Sequence, residues 1–126
     1  MTDTIRLAGV GKTYDGEHGP VRAIRDVSFA VDPGEFVTVV GPSGSGKSTA
    51  FRIIAGLETA TEGAVEVGDE PVTGPGPDRG MVFQDDALFP WRTVAGNVRY
   101  GLEEVGPPPD TTVRRRIDPC LSVARL

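Results

Sequence analysis

Residues 41 to 48 read Gly41-Pro42-Ser43-Gly44-Ser45-Gly46-Lys47-Ser48, and no other segment narrows the possible folds as much. Glycine, four free positions, then Gly-Lys-Ser is the pattern of a phosphate-binding loop, met here by Gly41, Gly46, Lys47 and Ser48. Such a loop works between a strand and the start of a helix. Phe36-Val37-Thr38-Val39-Val40 is a short apolar, β-branched run and reads as a buried strand. Ala50, Phe51, Ile53, Ile54 and Leu57 recur at helical spacing, which predicts a helix beginning near Lys47.

The residue types explain the chemistry. Glycines at 41, 44 and 46 let the main chain approach an anion closely. Successive amide N–H groups then converge on phosphate oxygens, and the helix N-terminus adds a favourable field. Lys47 supplies a mobile charge for β- and γ-phosphates, Ser48 a hydroxyl for Mg²⁺, and Thr49 a further donor. The expected nucleotide site is therefore Gly41, Pro42, Ser43, Gly44, Ser45, Gly46, Lys47, Ser48 and Thr49. A mere Gly/Ser turn with a solvated Lys47 is the bland alternative, and the flanking strand and helix count against it.

Bulk properties exclude other classes. The 126 residues carry a net charge of −5, which argues against a nucleic-acid binder that relies on a basic surface. A single cysteine, Cys120, rules out an internal disulfide and fits a reducing compartment. No signal-peptide core or 18-residue apolar run is present, so a soluble cytosolic chain is expected.

Ile5 to Val10 and Ala23 to Val31 read as strands, with Asp15 to Pro20 a polar loop between them. Ala64 to Val67 and Glu70 to Thr73 form a predicted hairpin across Gly68-Asp69. Gly74 to Pro77 is irregular, and Gly80 to Gln84 reads as a second short apolar strand. Thr93 is an expected N-cap for a helix with Val94, Val98, Leu102 and Val105 on one face. Gly106 and Pro107-Pro108-Pro109 stop it. A further helical stretch is expected from Asp110, with Asp118-Pro119 opening another. The fold class is α/β: a P-loop nucleotide-binding core with an antiparallel β subdomain.

The phosphate loop, Gly80-Met81-Val82-Phe83-Gln84 and Leu88-Phe89-Pro90-Trp91-Arg92-Thr93-Val94 together resemble the ATP-binding cassette of ABC transporters. The resemblance runs from about Ile5 to Leu126. Gly74 to Gly80 and Phe89-Pro90-Trp91-Arg92 look most like the nitrate, sulfonate and taurine importers. It implies a β subdomain and P-loop core over residues 1–92, with a helical subdomain starting over 93–126. It also implies ATP and Mg²⁺, with Tyr14 stacking on adenine and Gln84 meeting Mg²⁺ or the attacking water. Lys47 and Gln84 are then the catalytic candidates, and Ser48 and Gln84 the metal ligands.

The segment from Gln84 to Asn97 resembles the groove in which a permease subunit docks. Trp91 is expected to be buried and Asp85 to Leu88 exposed. The implied partners are integral membrane permeases, a second ATPase subunit and, indirectly, a periplasmic or extracellular solute-binding protein, at the cytoplasmic face of the membrane. Asp85-Asp86 is read as a solvated pair, His18 as solvated, Cys120 as a packing residue, and Arg114-Arg115-Arg116 as a solvent-facing run.

The family pattern also calls for an LSGGQ-like signature, an apolar run ending in Asp-Glu, and a switch histidine. None follows Gln84, and Leu121-Ser122-Val123-Ala124 lacks both signature glycines. The expectation is an energy-coupling ATPase subunit of an oxyanion or sulfonate importer, represented up to the point where the helical subdomain is under way. The alternatives are a truncated, non-catalytic nucleotide-binding remnant, a soluble ABC-type ATPase of DNA repair or translation, and a small phosphate-loop kinase. The isolated chain is expected to be marginally stable and prone to associate.

Overall fold

A long hairpin organises the first half of the chain. In the computed structural model, which describes residues 3–85, 87–106 and 113–123 (backbone only for 113–116), β1 spans Ile5–Gly16 and β2 spans Gly19–Val31. They pair antiparallel from Ile5 opposite Val31 to Gly16 opposite Gly19. The strands thus run through most of the expected Asp15–Pro20 loop, leaving a tight turn at its centre. β3 (Glu62–Val67) lies on the other side of β1, and β4 (Glu70–Pro71) closes the predicted hairpin, giving the order β2-β1-β3-β4.

The core lies on one face of this sheet. Leu7 and Val10 are both buried, although residues three apart on a regular strand face opposite sides. The register against β2 shifts between Leu7 and Val10, and Gly9 takes a left-handed φ of 59° there. That bulge turns both side chains inward. They meet Ile24, Val65 and Ile53, the last from α1 (Lys47–Ile54). Helix α1 begins where the apolar spacing predicts.

Backbone contacts separate a unit ending at Met81 from a second beginning at Val82. The second contains α2 (Val94–Val105) and α3 (Val113–Val123), which pack together. Thr93 caps α2 as expected, accepting from the Gly96 amide at 3.1 Å. Gly106 ends it, donating to the Leu102 carbonyl at 3.0 Å. The expected starts and stops at Pro107 to Asp110 lie outside the described residues, as does Asp86.

Five expectations are corrected. Neither Phe36–Val40 nor Gly80–Gln84 joins a sheet among the described residues. Phe36 and Val40 are 92% and 88% exposed, and a cavity of about 390 Å³ lies between β2 and α1, lined in part by Val39 and Val40. Apolar, β-branched composition makes a run fit for a strand, but only pairing makes it one. Asp118-Pro119 does not open a new helix; α3 runs through Pro119. Ile117 is buried and Leu121 half-buried one turn later, so an apolar stripe straddles the proline. Trp91 is 77% exposed, since it lies on the loop ahead of α2 with its ring tilted against Phe89. Cys120 is exposed as well, whereas His18 is exposed as expected.

The uncovered run has a measurable consequence. The 126-residue polypeptide should self-associate at micromolar concentration, and Phe36→Glu should shift it toward monomer. Light scattering that finds a monodisperse monomer in the unsubstituted chain would contradict this.

Candidate nucleotide site

The phosphate loop is held by its last glycine. Gly46 takes φ 89° at the N-cap of α1, and a Cβ there would stand 2.5 Å from the Ala23 carbonyl oxygen of β2. Only glycine satisfies both the backbone conformation and this close approach. The loop is thereby seated on the sheet, and α1 leaves it with the Gly46 carbonyl accepting from the Ala50 amide at 2.9 Å. Within the loop the Ser45 amide donates to Pro42 at 3.2 Å.

Lys47 folds back over its own loop. Its ammonium donates to the Gly41 carbonyl at 2.6 Å, the Pro42 carbonyl at 2.7 Å and Ser45 Oγ at 3.1 Å. Three acceptors match the three protons of the group. An anionic oxygen would displace neutral ones, since charge-assisted hydrogen bonds are stronger. Ser43 and Ser48 are exposed, Ser48 on the first turn of α1.

Tyr14 is brought to the same helix. Its hydroxyl donates to the Glu58 carboxylate, and Thr49 Oγ1 lies 3.5 Å from the phenol oxygen. The phenol has one proton, which goes to the carboxylate, so the Thr49 hydroxyl is left to donate. The Lys12 ammonium sits 5.0 Å from the Tyr14 ring centroid, a cation–π contact that takes one face of the ring. Lys12 also donates to the Thr59 carbonyl at 2.7 Å, and Glu58 pairs with Arg52 at 3.5 Å. Burial, and then the Glu58 carboxylate accepting from its hydroxyl, hold Tyr14 above the ordinary tyrosine value of 10.0.

Gln84 belongs to the second unit, where it is exposed and outside regular structure. Nearby, Phe89 stacks edge-on against Tyr100 (centroids 4.6 Å apart) and tilted against Trp91 (5.3 Å). The Arg92 guanidinium lies 4.8 Å from the Tyr100 ring centroid and pairs with Glu103 at 2.8 Å. Asn97 ties the preceding loop to α2. Its carbonyl accepts from the Phe89 amide at 2.7 Å, and its amide donates to the carbonyls of Phe89, Arg92 and Thr93 at 3.0 to 3.3 Å.

Sequence reasoning missed Glu58, Lys12 and Asn97. Asn97 carried a faint signal, as an asparagine inside a predicted helix, where it competes with the backbone. Glu58 carried none, because its partner is 44 residues away.

The Gly-rich loop from Gly41 to Ser48, opening α1, has the pattern and helix-start position of a phosphate-binding loop. The family model for ABC transporters matches residues 24–125, and the chain belongs to that family of ATPases. It is 48% identical over 102 residues to the nitrate import ATP-binding protein NrtD of Synechocystis sp., covering 81% of this chain and 38% of that protein. It is 50% identical over 115 residues to the sn-glycerol-3-phosphate import ATP-binding protein UgpC of Rhizobium meliloti, covering 89% and 32%. Among solved structures it matches the ATP-binding cassette MJ0796, a dimer in a post-hydrolysis state bound to ADP and Pi, at TM-score 0.82 and 33% identity. That match covers 97% of this chain and 57% of the cassette. The chain thus spans well under half the length of these two curated relatives. No helix among the described residues is long and apolar enough to cross a membrane.

The raised Tyr14 value has a sign. A neutral phenol favoured by the fold contributes stability that is complete below pH 10.0 and lost as pH rises through the folded-state value. Tyr14→Phe should remove that alkaline loss, read from urea midpoints across pH 8 to 11; identical slopes would refute it. Asn97→Ala should destabilise the Phe89–Asn97 segment by about 1–3 kcal/mol, measured by amide exchange of the Phe89 N–H. Unchanged protection would show that the loop does not depend on Asn97.

Proposed function

We propose that this chain is the nucleotide-binding part of an ATPase subunit that powers an ABC importer. ATP would lie with its phosphates in the loop of residues 41–49 and its adenine on Tyr14. The observation that carries this reading is the 3.5 Å approach of Thr49, on the first turn of α1, to the Tyr14 hydroxyl. It joins a phosphate cradle and an aromatic platform within one unit.

The residues divide the work. Backbone amides from Gly41 to Thr49 hold the phosphates, and Lys47 exchanges carbonyl acceptors for phosphate oxygens. Lys12 takes one face of Tyr14, so a base would stack on the other. Ser48 is a hard oxygen donor and fits Mg²⁺. Held there, Mg²⁺ would supply positive charge to offset that of the phosphates. Gln84 is assigned to orient the attacking water and to meet that ion; its support is the Gly80–Gln84 and Leu88–Val94 sequence.

The exposed Leu88 and Trp91, on a loop tied down by Asn97, support docking of a membrane permease helix over Gln84 to Asn97. A second ATPase subunit would complete the nucleotide site, with a solute-binding protein acting indirectly and the whole lying peripherally at the cytoplasmic membrane face. The cargo proposed is a small oxyanion or sulfonate, of the nitrate, taurine or alkanesulfonate kind. The similarity to a nitrate import protein supports it, and comparable similarity to glycerol phosphate and xylose/arabinose import proteins widens the range to other small solutes.

Lys47→Ala should weaken MgATP binding about ten- to hundred-fold, measured by calorimetry. Wild-type affinity in that variant would overturn the site.

A further inference from the structure

The Tyr14 ring is held by more than its own strand. Just ahead of its position, β1 is laced to the segment that follows α1. Thr61 accepts from the Thr13 amide at 3.0 Å, and the Thr61 amide donates to Gly11 at 2.8 Å. Those bonds fix the backbone of Tyr14 but not its χ angles. The ring tip is fixed by Glu58. Glu58 is itself built in: its amide donates to the Arg52 carbonyl at 3.3 Å, and its side chain is 21% exposed. One carboxylate oxygen pairs with Arg52 at 3.5 Å, while the other faces Tyr14 and the Lys12 ammonium at 3.9 Å.

We propose that Glu58 is a positioning residue that sets the Tyr14 ring for base stacking, with Lys12 closing the ring face turned away from the base. This rests on the reading of Tyr14 as the adenine platform. A phenol free to rotate would have to be ordered on binding, and that cost would appear as lost affinity for the base alone. The carboxylate removes it in advance through a charge-assisted hydrogen bond, and the two cations hold the carboxylate in place. Tripolyphosphate has no base to stack, so its affinity should be independent of Glu58.

The test compares MgATP with magnesium tripolyphosphate, which has no base, by calorimetry on variants of the protein. Glu58→Ala should lose about five-fold in MgATP affinity, the worth of one hydrogen bond, with no weakening of tripolyphosphate. Tyr14→Phe removes the same bond from the other side and should lose as much, with no further loss in the double variant. Glu58→Gln keeps an acceptor and should recover most of the affinity. If Tyr14→Ala weakens MgATP selectively while Glu58→Ala and Tyr14→Phe do not, the ring stacks unaided and the inference falls. If Tyr14→Ala leaves MgATP unchanged, the platform reading itself falls. If Glu58→Ala weakens both ligands equally, Glu58 supports the loop rather than the ring, which also overturns the proposal.

Discussion

The seating of α1 on the sheet is the contact from which the site follows. Ile53 buries itself among Leu7, Val10, Ile24 and Val65, a burial worth about 1.5–3 kcal/mol for one such side chain. At the other end of the helix, Gly46 lies against the Ala23 carbonyl with no room for a Cβ. Two fixed points, one apolar and one steric, set the axis of α1 and thus the direction in which its N-terminal amides point. The bulge at Gly9 is part of the same arrangement, since without it Leu7 and Val10 would not face the helix together.

The chemistry is concentrated where the segment after α1 returns to β1. Thr61 and Thr59 bind the backbone and the Lys12 side chain of that strand, and Glu58 reaches Tyr14. The strand that carries the aromatic is therefore tied to the segment that follows the phosphate-loop helix. Most of this lacing is polar and partly solvated, so its contribution lies in geometry more than in stability.

In the second unit an asparagine does comparable work for a loop. Asn97 binds Phe89, Arg92 and Thr93 at once, and Phe89 and Arg92 both pack against the Tyr100 ring. Trp91 is left on the outside, where composition alone would have placed it within.

The sequence by itself determined the elements that local chemistry specifies. These are the phosphate loop, the start of α1, the Gly68-Asp69 hairpin, the Thr93 cap and the family. A motif, a cap or a two-residue turn acts over a few residues, so its signal is contiguous. Tertiary structure decided the rest. It alone linked Tyr14 to Glu58 and Thr49, ran α3 through Pro119, and left Phe36–Val40 outside any sheet among the described residues. Each of those outcomes turns on a partner remote in the chain, or on how much surface neighbouring elements can cover, and neither is written in the local pattern.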